Sequence, residues 1–236
     1  MSIIKDCVLD VADQFGGVSP STTTLYDKSR YKHNFTMTNI AWYSVLPIDR
    51  YSMDYDGTTS RASGVGASTQ AMNFVCEDYT VMCWFIWYAG SVSQQIVTRY
   101  VLDNNGWEIY LTDFAGAYHL TNRHHHAGTI VDTHPRTAYD SLGWAQGVPW
   151  FMAITRHTNT AIHYRNGVPV ATTCSTGGLV DPEPCVQAPT IGVRYTLNAD
   201  WFCGRMAKLR VFNYAMTPAQ IRARYHAEKY PGVVIS

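Results

Sequence analysis

The sequence predicts an all-β protein, an antiparallel β-sandwich with a short C-terminal helix, and three observations carry that prediction. The first is the stretch from Trp150 to Ala171 (WFMAITRHTNTAIHYRNGVPVA), which reads as three short strands joined by two tight turns. Phe151, Ala153 and Thr155 fall on one face of a pleat and Met152 and Ile154 on the other, before the polar reversal at 157–160. The alternation restarts at Ala161, and Asn166-Gly167 is the pair that a two-residue type I′ turn requires, because both central residues need φ > 0. Pro169 cannot donate to a ladder, which places the return strand at an edge or a bulge. The second observation is Tyr79 to Tyr88, so continuously hydrophobic that both faces of that strand must be covered. The third is composition: aromatics reach 13 %, with 16 Tyr and 7 Trp, while charged residues are only 15 % against about 25 % in an ordinary domain. No linker-like run interrupts the chain, and sandwiches of this length often form one unit, so residues 1–236 are read as a single domain.

In order along the chain, residues 3–12 form a first strand and Gln14 to Thr24 a Gly/Ser/Thr loop, followed by a further loop over Leu25 to Asn34. Phe35 to Met37 and Tyr51 to Tyr55 are short strands, the second closing at Asp56-Gly57. Thr58 to Met72 is small and polar and is read as an irregular surface segment. Gln95 to Tyr100 pairs with the hydrophobic strand before it. Asn104-Asn105-Gly106 then turns into Trp107 to Thr112, and Ala115-Gly116 into Tyr118 to Asn122, an antiparallel meander with turns at sandwich spacing. Residues 123–148 break this rhythm and are read as a long loop, with a second over Ser175 to Pro189 that holds Pro182, Pro184 and Pro189. Thr217-Pro218-Ala219-Gln220 is a capping box with proline at the first helical position, opening a helix that runs to about Lys229.

The hairpin, ordered aromatic-x-Ala-x-Thr then Ile-x-Tyr-x-Asn-Gly-x-x-Val-Ala, resembles the laminin-G-like jelly roll of the concanavalin A-like lectin/glucanase superfamily. Further landmarks follow in that family's order. They are Tyr26 to Asn34, Met53-Asp54-Tyr55-Asp56-Gly57, Tyr79 to Phe85 with its Trp84, and Phe202 to Thr217 as closing strand and turn into the last helix. The resemblance covers nearly the whole chain and implies a concanavalin A-like jelly roll with the helix laid over one sheet. Glucanases of the superfamily use a strand motif Glu-x-Asp-x-x-Glu to present nucleophile and general acid on one face. This chain has only Glu77, Glu108, Glu183 and Glu228, none within thirty residues of another, so no enzyme is expected. Some relatives hold calcium partly through the Asp-Gly position, matched here by Asp54 and Asp56. Ala207 and Lys208 stand where further acids would be wanted, so no metal is expected there, and Asp56 is read as stabilising its turn.

Other readings come from the residues themselves. Zero formal net charge argues against a nucleic-acid partner, which needs an excess of Lys and Arg. The charge is uneven: from Arg205 onward six Lys/Arg face one acid, whereas residues 1–60 hold seven Asp and five Lys/Arg, as if the two ends lie together. The N-terminal MSIIKDCVLDVADQF has no apolar core of signal-peptide length, and no apolar run is long enough to span a membrane. Cys83 and Cys203 read as core thiols; Cys174 and Cys185 bracket a loop and could bridge in an oxidising compartment, with free thiols favoured. His124-His125-His126 invites a metal, but neighbours in an extended segment point to opposite faces, and no cofactor or metal is expected.

Trp107, Tyr118, Tyr139 and Trp144 cluster near the 123–148 insert and are the candidate contact residues, suited to stacking on a sugar or to a protein interface. Stand-alone domains of this type without a secretion signal resemble bacteriophage structural proteins that decorate capsids or form tail-fibre parts. The function expected first is therefore a non-catalytic attachment protein on a virion surface. It would be oligomeric and dock on other virion or assembly proteins through the 123–148 and 175–189 loops. The alternative is a lectin-like glycan-binding module.

Overall fold

The computed structural model describes residues 6–12, 21–43, 51–114, 117–135 and 144–229. In chain order the strands are β1 (Cys7–Asp10), β2 (Thr24–Leu25), β3 (Phe35–Thr38), β4 (Ala41–Tyr43), β5 (Ser52–Asp56) and β6 (Arg61–Ser63). After a 3-10 turn over Ala67–Met72 come β7 (Tyr79–Trp87), β8 (Ser93–Val101), β9 (Asn105–Phe114), β10 (Ala117–His126) and β11 (Thr129–Pro135). The chain continues with β12 (Trp150–His157), β13 (Thr160–Arg165), β14 (Val168–Val170), β15 (Thr172–Cys174), β16 (Thr190–Ile191), β17 (Cys203–Phe212) and helix α1 (Pro218–Lys229). One antiparallel sheet runs β14-β13-β12-β7-β17-β5-β4, with β1 also paired to β17; the other runs β15-β11-β10-β9-β8-β16-β6-β3-β2.

Between the sheets lies one apolar core. β7 gives it Tyr79, Val81, Cys83, Phe85 and Trp87, while Met82, Trp84 and Ile86 point out from the same strand into a second cluster under α1, so all nine residues of the strand are buried. The alternation read at Trp150 to Thr155 holds: Met152 and Ile154 face the central core, Phe151 and Ala153 the helix side. Asn166 (φ 51°) and Gly167 (φ 79°) both adopt left-handed dihedrals at the hairpin turn, and Pro169 sits on the edge strand β14. The capping box is reciprocal. Gln220 N–H donates to Thr217 Oγ1 at 3.3 Å and Thr217 N–H to Gln220 Oε1 at 2.9 Å. α1 is fastened to the sheet by Trp84 Nε1–H, which donates to Glu228 Oε2 at 2.8 Å, and by an Arg210–Glu228 pair.

The two chain ends do meet, through β1 against β17, and their charges pair: Arg210 with Asp10 at 3.2 Å and Arg205 with Asp54 at 3.3 Å. All six cysteines are free thiols, with Cys83 and Cys185 buried. Three expectations need correction. Gln95 to Tyr100 does not pair with the hydrophobic strand before it: β8 lies in the other sheet between β9 and β16, while β7 is flanked by β12 and β17, so the connection between them crosses from one sheet to the other. The segment Thr58 to Met72 is partly regular, since it contains β6 and the 3-10 turn. Most of the described part of 123–148 is not loop: the meander continues through β10 to His126 and returns along β11. Polar residues on both faces of these strands hid the pleat, because Asn122 and His124 lie on the inward side where the pattern asks for apolar groups; there Tyr79 Oη meets Asn122 Oδ1 at 3.0 Å and His124 Nε2 at 2.7 Å. The 175–189 segment is loop, as read, and its first residue is held to the edge of the sheet where Ser175 N–H donates to Asp132 O at 2.9 Å.

Candidate binding groove

The outer face of the nine-stranded sheet is polar by the same alternation that makes its inner face apolar. On β9, Trp107, Ile109 and Leu111 enter the core, leaving Glu108, Tyr110 and Thr112 outside; on β10, Leu120 enters and His119, Thr121, Arg123 and His125 stay out. Antiparallel register then brings partners side by side: Ser93 opposite Thr112, Gln95 opposite Tyr110, Thr112 opposite His119, Tyr110 opposite Thr121, Glu108 opposite Arg123, and Arg123 opposite Asp132. These side chains line a groove of about 220 Å³ formed by Ser93, Tyr110, Thr112, Asp113, His119, Thr121, Arg123 and Asp132.

Arg123 organises the groove. Its Nε and Nη2 donate to the two oxygens of Asp132 at 2.5 and 3.1 Å, Nη1 reaches Glu108 Oε1 at 3.3 Å, and the guanidinium lies 4.9 Å from the Tyr110 ring centre. Burial opposes the charge, but the hydrogen bond to Asp132 and the neighbouring acidic groups outweigh it, and the Arg123 pKa is raised. Glu108, 1 % exposed, is held from three sides: by Arg123, by Gln95 Nε2 at 2.6 Å and by His125 Nε2 at 3.1 Å. Because His125 Nδ1 accepts the Asp103 N–H at 3.3 Å, Nε2 carries the proton toward Glu108, and the ring stacks on Tyr100 at 4.6 Å. Burial raises the Tyr110 pKa, so the phenol keeps its proton.

The residues expected to make contacts lie elsewhere. Trp107, with 0 % of its surface exposed, is a core residue whose Nε1–H donates to Met72 O at 2.9 Å, and Trp144 is 1 % exposed between Phe85 and Trp150. Tyr118 is half-buried with its ring 4.3 Å from Trp87. Tyr139 lies outside the described residues. Neither tryptophan presents a ring face to a ligand, because odd positions on β9 point inward and Trp144 fills the core beside β7. The usable signal was the second set of alternate positions, Tyr110-Thr112 and His119-Thr121-Arg123.

Other candidates resolve into structural roles. His124 and His125 point to opposite faces: His124 Nδ1–H donates to Val180 O at 2.8 Å and Nε2 meets Tyr79 Oη, while His125 joins Glu108 across the sheet. Asp56 accepts the N–H groups of Thr58, Thr59 and Ser60 at 2.8, 2.7 and 2.9 Å, which pulls its pKa down despite the opposing burial, and Asp54 pairs with Arg205. The four glutamates are likewise separate. Glu228 serves the helix, Glu77 accepts the Val75 N–H, and Glu183 pairs with His126.

Two antiparallel sheets packed on one core define a jelly-roll β-sandwich, and comparison with known proteins gives the family. The family model described as the concanavalin A-like lectin/glucanases superfamily matches residues 57–222, and the chain belongs to that superfamily. No curated protein sequence matches it. Among solved structures, the binding domain of paraclostridial mosquitocidal protein 1 aligns with a TM-score of 0.68 at 15 % identity, over 94 % of this chain and 52 % of that one. The binding domain of botulinum neurotoxin DC in complex with SialylT aligns at 0.65 and 14 % identity, over 97 % and 53 %. Domain 4 of AbnA, an extracellular arabinanase of Geobacillus stearothermophilus, in complex with arabinotriose, aligns at 0.63 and 16 % identity, over 93 % and 98 %. At these identities the likeness is one of fold, and the chain spans about half the length of the toxin binding domains.

Proposed function

We propose that the protein is a non-catalytic, lectin-like module that binds saccharide in the groove across β8 to β11. The observation that carries this reading is the groove's lining of hydroxyls, carboxylates and one guanidinium held rigidly on paired strands, a density of donors and acceptors that suits a polyhydroxylated ligand. Support comes from the structural neighbours, one solved with arabinotriose and others named as binding domains. These neighbours reverse the order of the two readings drawn from sequence: the glycan module comes first, and attachment on a virion surface, which would use protein contacts, comes second. The dispersed glutamates support a binding role without hydrolysis. The test is a glycan array with the purified chain, read beside its mass in solution. Saccharides should be retained and His119→Ala should weaken retention while Arg222→Ala on α1 leaves it unchanged. Retention that ignores His119, or none at all, would sink the groove.

A further inference from the structure

We infer that this groove takes neutral, hydroxyl-rich sugar units and turns acidic ones away, an inference that rests on the saccharide reading above. Three carboxylates, Asp113, Asp132 and the buried Glu108, line or underlie the groove against one guanidinium, Arg123. The charge of that guanidinium is already paired, though two of its five N–H groups remain for a neutral acceptor. Each of its three nitrogens engages Asp132 or Glu108 and its face lies over Tyr110, so an incoming carboxylate would have to share the guanidinium with two carboxylates already on it and settle among like charges. A neutral hydroxyl meets the reverse situation, because ionised carboxylates only accept and a sugar O–H donates to them.

A second observation, independent of the acids, also points to a hydroxyl. Tyr110 lines the groove, is 3 % exposed, and its Oη has no hydrogen-bond partner among the described residues; Gln95, opposite it in register, has an unpartnered Oε1. A phenol that donates and an amide oxygen that accepts, on paired residues at the floor of the groove, match a group that does both, after a small side-chain shift uncovers them. Buried polar atoms are usually paired, and among the buried atoms of the described residues that lack a partner these two belong to neighbouring residues at the groove.

The test uses an array carrying matched neutral and sialylated forms of the same oligosaccharides, with arabinotriose included, on the intact chain. The neutral member should bind about tenfold more tightly at low ionic strength, with a gap that shrinks as salt is added. Asp113→Asn should narrow the gap. Tyr110→Phe should weaken neutral sugars about threefold or more while the melting temperature stays the same or rises, since the variant deletes a hydroxyl that no protein group pairs. Sialylated sugars binding equally or better, or Tyr110→Phe leaving affinity intact, would overturn the inference while sparing the saccharide reading; an array that retains no sugar would take both down.

Discussion

The two outer faces of the sandwich are built from the same pleat and end in opposite states. Outside the eight-stranded sheet the alternate positions are Met82, Trp84, Phe151, Ala153 and Tyr164, and the chain covers them with its own helix through Ile221 and Tyr225. Outside the nine-stranded sheet they are Tyr110, Thr112, His119, Thr121 and Arg123; Tyr110 and Thr121 are buried by their neighbours, Thr112, His119 and Arg123 are half-buried, and a groove lies between them. An apolar face has to be buried within the chain or by a partner, whereas a polar face can stay in water and keep its donors and acceptors for a ligand. Which face binds is therefore decided by which residues occupy the outward half of each strand, and the fold itself is indifferent to the choice.

The covered face should carry the largest energetic weight. Trp84 stacks on Tyr225 at 5.7 Å and donates to Glu228, so Trp84→Ala should cost about 3–5 kcal/mol by leaving a cavity and an unpaired acceptor under α1. Denaturant unfolding followed by fluorescence measures it. A loss below about 1 kcal/mol would mean that the helix is not what stabilises this face.

Next in size is the polar group that the core of the sandwich encloses. Burial first, then the nearby Arg156 charge, lowers the His124 pKa to about 4, against the opposing pull of the Val180 carbonyl and Asp181. The folded-state value lies below the unfolded one, so this stability is complete above the unfolded pKa of about 6.5 and is lost as pH falls from there toward 4, on the order of 3 kcal/mol. Melting curves between pH 7 and pH 4 should show the loss, and His124→Gln should flatten it. A pH slope identical in the two proteins would place the acid-sensitive group elsewhere.

The hairpin tip comes third and also shows what sequence could reveal. Gly167 holds φ 79°, and a Cβ there would come within 3.0 Å of the Tyr225 side chain, so Gly167→Val should cost about 1–2 kcal/mol from backbone strain, with the helix contact adding to it. An unchanged melting temperature would disprove the turn. That turn was legible because Asn-Gly is a local signal, as were the capping box at Thr217 and the filled strand Tyr79 to Trp87. The helix pressing on Gly167 was not, since it depends on packing between segments far apart in sequence. The groove was hidden for a related reason. Its residues come from four strands and meet only once register is set, and no one strand contributes a motif. Trp107 and Trp144 looked like contact residues because aromatic identity does not say which side of a strand a ring takes. For Trp107 the spacing with Ile109 and Leu111 does say it, and points inward.

The smallest stability effect is expected where the functional effect is largest. His119 is half-buried on the polar outer face, opposite Thr112 on the neighbouring strand, and lines the groove. His119→Ala should therefore shift stability by no more than about 0.5 kcal/mol, the range of substitutions away from packed features. Saccharide retention should nonetheless fall, because the imidazole borders the groove and brings a ring N–H donor and a ring N acceptor to it. Thermal melting and array binding on the same preparation separate the two effects. A variant that loses stability and binding in proportion would show that the open face is as structural as the covered one, and the contrast between the two faces would fail.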